Sequence, residues 1–63
     1  MRRKSYEIRL KEGLPYNKRK LSGGTLVSRE WTHIPRELWE ALREREEKRI
    51  QAGRPAEFEF RVR

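Results

Sequence analysis

Apolar and polar residues alternate over Ser5–Lys11, with Tyr6, Ile8 and Leu10 on one side and Glu7, Arg9 and Lys11 on the other. A period of two over that length predicts a half-buried strand. Gly13 ends it, and Leu14-Pro15-Tyr16-Asn17 has the composition of a turn. Ser22-Gly23-Gly24 supplies a second reversal, since glycine reaches positive φ without a Cβ clash. Thr25–Ile34 is extended again, but its alternation is faulty. Val27, Arg29, Trp31 and His33 share one side, and Leu26, Ser28, Glu30, Thr32 and Ile34 the other. Apolar residues on both sides predict a bulge or bend near Arg29-Glu30.

The period then changes to that of a helix. Pro35 has its φ preset for the first helical position, and Glu37 places a negative charge in the first turn, where the helix dipole favours it. Leu38, Ala41 and Leu42 fall on one face at i, i+3, i+4 spacing, with Trp39 at its margin. The helix is expected over Pro35–Ala52, with Gly53 as the residue after the C-cap and Pro55 as the stop. Arg45 and Arg49 fall inside the apolar arc of the second half, with only Ile50 apolar nearby. That half is therefore expected to leave the body, its arginine stems lying along the surface. Ala56–Arg63 closes the chain as a strand, with Phe58, Phe60 and Val62 facing one way and Glu57, Glu59, Arg61 and Arg63 the other. The order β-β-α-β predicts an α+β fold, a small antiparallel sheet covered on one face by one helix.

Composition narrows this picture. Sixty-three residues make a single domain over 1–63, near the lower limit for folding alone, with a basic leader at 1–4 and a basic loop at 13–24. Charged residues reach 43%, which leaves about a dozen core side chains at most. These are Tyr6, Ile8, Leu10, Leu26, Val27, Trp31, Ile34, Leu38, Leu42, Phe58, Phe60 and Val62. So thin a core favours completion by a partner, with a homodimer the simplest form. No run approaches the roughly 18 apolar residues of a membrane span, and no signal peptide is visible, so a cytoplasmic protein is expected. A chain rich in Glu, Arg and Lys, with no Asp or Cys, has the composition common among thermophile proteins.

Without Cys or Asp, His33 has no partner for a nucleophilic dyad or triad, and the usual zinc patterns are missing. An enzyme is not expected, nor is a metal or cofactor. The charge of +7 is uneven: residues 1–29 hold nine Lys/Arg against Glu7 and Glu12, whereas residues 30–63 are balanced. Such asymmetry points to a polyanion, usually nucleic acid. Arg2, Arg3, Lys4, Lys18, Arg19 and Lys20 are the candidate phosphate contacts, with Arg9, Lys11 and Arg29 on the exposed sheet face and Tyr16 available to stack on a base or sugar.

Thr32-His33-Ile34-Pro35-Arg36-Glu37-Leu38-Trp39-Glu40-Ala41-Leu42, followed by Gly53 and Glu57-Phe58-Glu59-Phe60-Arg61-Val62, resembles the AbrB/MazE swapped-hairpin DNA-binding domains over about residues 26–62. Trp39 stands where that family has an arginine. The resemblance implies an intertwined dimer laying basic strands and loops across DNA, as transcription regulators and antitoxins do, with Arg36 as a backbone contact. Arg19–Glu44 is similar in rhythm to the small FluMu-type proteins of Mu-like prophages, which implies a place in a phage particle. The readings are thus a DNA-favouring nucleic-acid binder, a structural subunit of a ribonucleoprotein or phage assembly, or a protein-binding regulator presenting the helix end at Arg45–Ile50.

Overall fold

A computed structural model describes residues 3–63, so the Arg2 assignment lies outside the described residues. The elements run β1 (Tyr6–Leu10), β2 (Lys18–Lys20), β3 (Leu26–Ser28), β4 (Thr32–His33), α1 (Arg36–Gln51) and β5 (Phe58–Val62). The fold is α+β, one helix with small antiparallel sheets. β4, β1 and β5 form a three-stranded sheet in that order, and β2 and β3 form a two-stranded hairpin. No described helix is long and apolar enough to cross a membrane.

Two strands more appear than the alternation predicts. The extended segment 25–34 splits into β3 and β4 at a bend over 29–31, the place where its apolar alternation changes side. Val27 and Ile34 have opposite parity along the chain, yet both are buried, because the bend turns the second strand over. The other added strand is β2. Lys18, Arg19 and Lys20 lie in the expected basic loop but pair with Ser28, Val27 and Leu26. Gly23 and Gly24 close this hairpin at φ 95° and 90°. Nothing in Lys-Arg-Lys predicts a strand: its backbone is held by its neighbour, and all three residues are exposed.

The core is Ile8, Leu10, Leu21, Val27, Ile34, Trp39, Leu42 and Phe58. Leu21 and Trp39 were not expected there as central residues, and Leu26 and Val62 prove exposed. Trp31 turns to the outer face of the sheet, its ring centroid 4.4 Å from the Arg9 guanidinium and 4.2 Å from that of Arg61. The helix is rotated relative to its predicted face: Trp39, Leu42 and Glu46 are buried and Ala41 is exposed. Trp39 fixes this rotation. Its indole N–H donates to the Glu7 carbonyl at 3.1 Å, and its ring meets Tyr6 and Phe60 edge-on at 5.4 and 5.7 Å. Pro35 has the expected φ of −59° but an extended ψ of 147°, so it lies one position before the first helical residue, where its carbonyl accepts the Trp39 N–H. Gly53 follows Ala52 at φ 81°, the left-handed stop expected of it.

Trp39→Phe removes the indole hydrogen bond to the Glu7 carbonyl and loses ring volume, so it is expected to cost about 1–2 kcal/mol. For a domain of this size that is a melting point lower by roughly 4–16 °C. Trp31→Phe, on the outer face, is expected to cost under about 1 kcal/mol. Thermal melts of both variants followed by circular dichroism check the order, and a larger loss from Trp31→Phe would overturn the placement of the two rings.

Candidate nucleic-acid interface

The leader and the basic hairpin lie apart. Ser5 pairs with Arg63 at one end of β1, while Lys11 donates to the Glu57 carbonyl at the other. Six residue steps of strand separate these points, about 20 Å. Arg3 and Lys4 therefore sit at the far end from Lys18–Lys20.

Several of the predicted contacts are engaged within the fold. Arg9 binds the Glu59 carboxylate at 2.7 Å and lies over Trp31. Arg36 binds Glu40 at 3.0 Å along the helix and lies 5.8 Å from the Tyr6 ring, and the hydrogen bond to Glu40 raises its already high pKa. Arg29 is exposed and donates to the Leu14 carbonyl at 3.3 Å. Tyr16 is half-buried, and its hydroxyl donates to Glu57. That bond pushes the phenol up from its ordinary value, with burial adding to the effect. Arg3, Lys4, Lys11, Lys18 and Lys20 are exposed and belong to no ion pair among the described residues.

Lys20 and Arg19 approach the helix to form the wall of a cleft of about 280 Å³. The opposite wall carries Arg45 and Arg49, and Leu38, Leu42 and Phe58 also line the space. At one end Glu57 accepts hydrogen bonds from the Tyr16 hydroxyl and the Arg19 guanidinium, with Arg49 at 4.0 Å. Burial by itself pushes the Glu57 carboxyl up, but the bonds from Tyr16 and Arg19 outweigh it and hold the group below the ordinary carboxylate range. Glu46 is buried too, and its carboxylate accepts the backbone N–H groups of Glu57 and Phe58. Both acidic groups therefore face donors. Arg49 still has a buried Nε without a hydrogen-bond partner, and Arg45 and Lys20 are exposed at the rim. The cleft can accept an anion, because guanidinium groups carry five donors and one carboxylate cannot fill two of them.

No family model, curated protein or solved structure matches the chain significantly. The site therefore rests on its own geometry. The uneven charge along the sequence singles out the hairpin cations but not the cleft's second wall. The local signal for that wall is two basic residues four apart inside an apolar arc, Arg45 and Arg49, with a glutamate at 46 between them. Among the described residues, no group of three His, Cys, Asp or Glu could hold a metal ion.

Glu57 is charged in the folded state at pH values where its unfolded counterpart takes up a proton. Its stabilisation is complete above the unfolded carboxyl pKa, about 4.3, and is lost as the pH falls through the depressed folded value. Glu57→Gln is expected to cost about 2–4 kcal/mol at pH 7, since it leaves Arg19 and Arg49 without a charged acceptor. It should also flatten the loss of stability between about pH 5 and pH 2. Urea titrations across that range test this, and a variant with the same acid sensitivity as the parent would show that Glu57 is not the group responsible.

Proposed function

We propose that the protein is a small non-catalytic nucleic-acid-binding protein, with duplex DNA favoured, whose contact surface is the basic cleft between the β2–β3 hairpin and α1. The observation that carries this reading is the meeting of Lys20, Arg19, Arg45 and Arg49 from two separate elements around one cavity. Exposed Lys18 extends the cationic surface along β2. Such a surface neutralises backbone phosphates, whose oxygens are suitable acceptors for the exposed Lys20 and Arg45 at its rim. Duplex is preferred to single strand because Trp31, the aromatic ring beside Arg9, is already covered by the Arg9 and Arg61 guanidiniums. Single-strand binders need free rings for bases to stack on. The swapped-hairpin resemblance over residues 26–62 also favours DNA and a role in transcription regulation. A second reading, a subunit of a larger ribonucleoprotein or phage assembly, is favoured by the exposed apolar side chains of Leu26, Ile50 and Val62.

Fluorescence anisotropy with labelled duplex DNA, single-stranded RNA and a structured RNA, at about 50 and 200 mM salt, tests the proposal. Duplex affinity is expected to fall steeply with salt. Lys20→Ala and Arg45→Ala should each reduce the log–log salt slope by about 0.9, whereas Lys48→Ala, on the solvent side of the helix, should leave it unchanged. Arg19 is not a useful probe, because its replacement also breaks the Glu57 bond. Unchanged affinity and slope in both cleft variants would overturn the assignment of the cleft.

A further inference from the structure

The exposed strand edges differ in how they are defended. β4 contributes only Thr32 and His33, and β2 reads Lys-Arg-Lys, the kind of charged edge that discourages pairing. β5 is five residues long and hydrogen-bonded to a strand on one side only. Its odd-numbered residues turn their backbone groups toward β1, as the reciprocal Ser5–Arg63 bonds and the Lys11 bond to Glu57 show. Phe58, Phe60 and Val62 therefore direct theirs outward. The Phe58 N–H is already donated to Glu46 at 3.1 Å. This leaves the Phe60 N–H and carbonyl, the Val62 N–H and the Phe58 carbonyl available at the edge.

The residues of this edge are complementary to themselves. Read backwards about Phe60, Glu59 falls opposite Arg61 and Phe58 opposite Val62. We propose that β5 pairs antiparallel with β5 of a second copy of the chain, on a two-fold axis through Phe60. Phe60 then exchanges hydrogen bonds with the second copy's Phe60, and each Val62 N–H donates to the other chain's Phe58 carbonyl. Because Glu46 occupies the Phe58 N–H, pairing stops at that residue, which pins the register.

Charge favours this register over its neighbours. Within one chain Arg9 faces Glu59 at 2.7 Å and Glu7 faces Arg61 at 2.6 Å across the β1–β5 ladder. Across the two-fold axis, Glu59 meets the second copy's Arg61 and Arg61 meets its Glu59. Each row then alternates in sign over four strands, and a one-residue slip would destroy the alternation on one face and the apolar match on the other. On the helix side, a groove of about 420 Å³ between α1 and β5 is lined by Ile50, Ala56, Phe58 and Phe60. It receives the second copy's Val62, which is 45% exposed in the single chain, beside Ile50 at 55%. The pairing does not rest on the nucleic-acid reading, and its test contains no nucleic acid.

Sedimentation equilibrium on the full chain, over about 10 µM to 1 mM, is expected to show a mass rising from 7.7 kDa toward twice that value. Val62→Lys, a change at an exposed position, should weaken association at least about tenfold, with a melting point unchanged at concentrations where the chain is monomeric. The register is read independently from the unmodified protein by nuclear Overhauser contacts between the Phe58 ring and the Val62 methyls. Four strand residues separate these groups within one chain by about 13 Å, too far for such a contact. A monomer up to 1 mM, a dimer that Val62→Lys leaves intact, or a dimer without the Phe58–Val62 contact would each overturn the proposal.

Discussion

Two buried glutamates, Glu46 on α1 and Glu57 just before β5, hold the remaining elements together. Glu46 lies on the third turn of the helix and accepts the amides of Glu57 and Phe58, which ties α1 to the last strand through the backbone. Glu57 takes Tyr16 and Arg19 from the hairpin side and has Arg49 of the helix at 4.0 Å. Hairpin, helix and closing strand thus meet around two carboxylates at the end of the sheet. A buried carboxylate is tolerable when its charge is met by cations or hydrogen-bond donors: Glu57 has Arg19 and Tyr16, and Glu46 has two backbone N–H groups. In a domain with so few apolar side chains, this polar joint does what additional core residues would do in a larger one.

The same joint shapes the cationic surface. Arg19 is oriented by Glu57 and with Lys20 defines one wall of the cleft, whereas Lys18 belongs to no ion pair among the described residues. Arg49 approaches the same carboxylate from the other side, bringing helix charges opposite hairpin charges. The outer sheet face follows a different logic. There Arg9, Arg61, Glu7 and Glu59 neutralise each other across the ladder, and Trp31 covers the two guanidiniums. Arg61 holds the Glu7 carboxyl below its usual range by hydrogen bonding, consistent with a face that is paired rather than presented to a polyanion. Charges paired across the sheet and exposed cations such as Lys18, Lys20 and Arg45 are therefore separate populations on a very small body.

Local pattern was enough for β1, β5 and the extent of the helix. Each turns one face to the body, and the period of that face is written in alternate residues: Tyr6, Ile8 and Leu10, or Phe58 and Phe60, with Val62 continuing the pattern but exposed at the strand end. The bend near Arg29-Glu30 was legible for the same reason, because a change in which parity is apolar has no other local meaning. Pro35 and Gly53 act through their own φ preferences and need no partner, so the helix ends were readable within one residue.

What lay beyond the sequence was anything decided by a contact distant along the chain. Lys18–Lys20 became a strand because Leu26–Ser28 offered a ladder, and hydrogen-bonding partners leave no mark on side-chain pattern. The helix turned to put Trp39 inward and Ala41 outward because the Glu7 carbonyl was within reach of the indole, a bond across 32 residues. Arg45 and Arg49 looked like a helix leaving the body, since nothing local shows that Glu57 waits on the far side of the fold. The excess of positive charge in the first half was determined by composition alone. Which of those cations remain available was decided only when folding set Glu57 and Glu59 beside Arg19 and Arg9, because Coulomb attraction depends on distance in space and not along the chain.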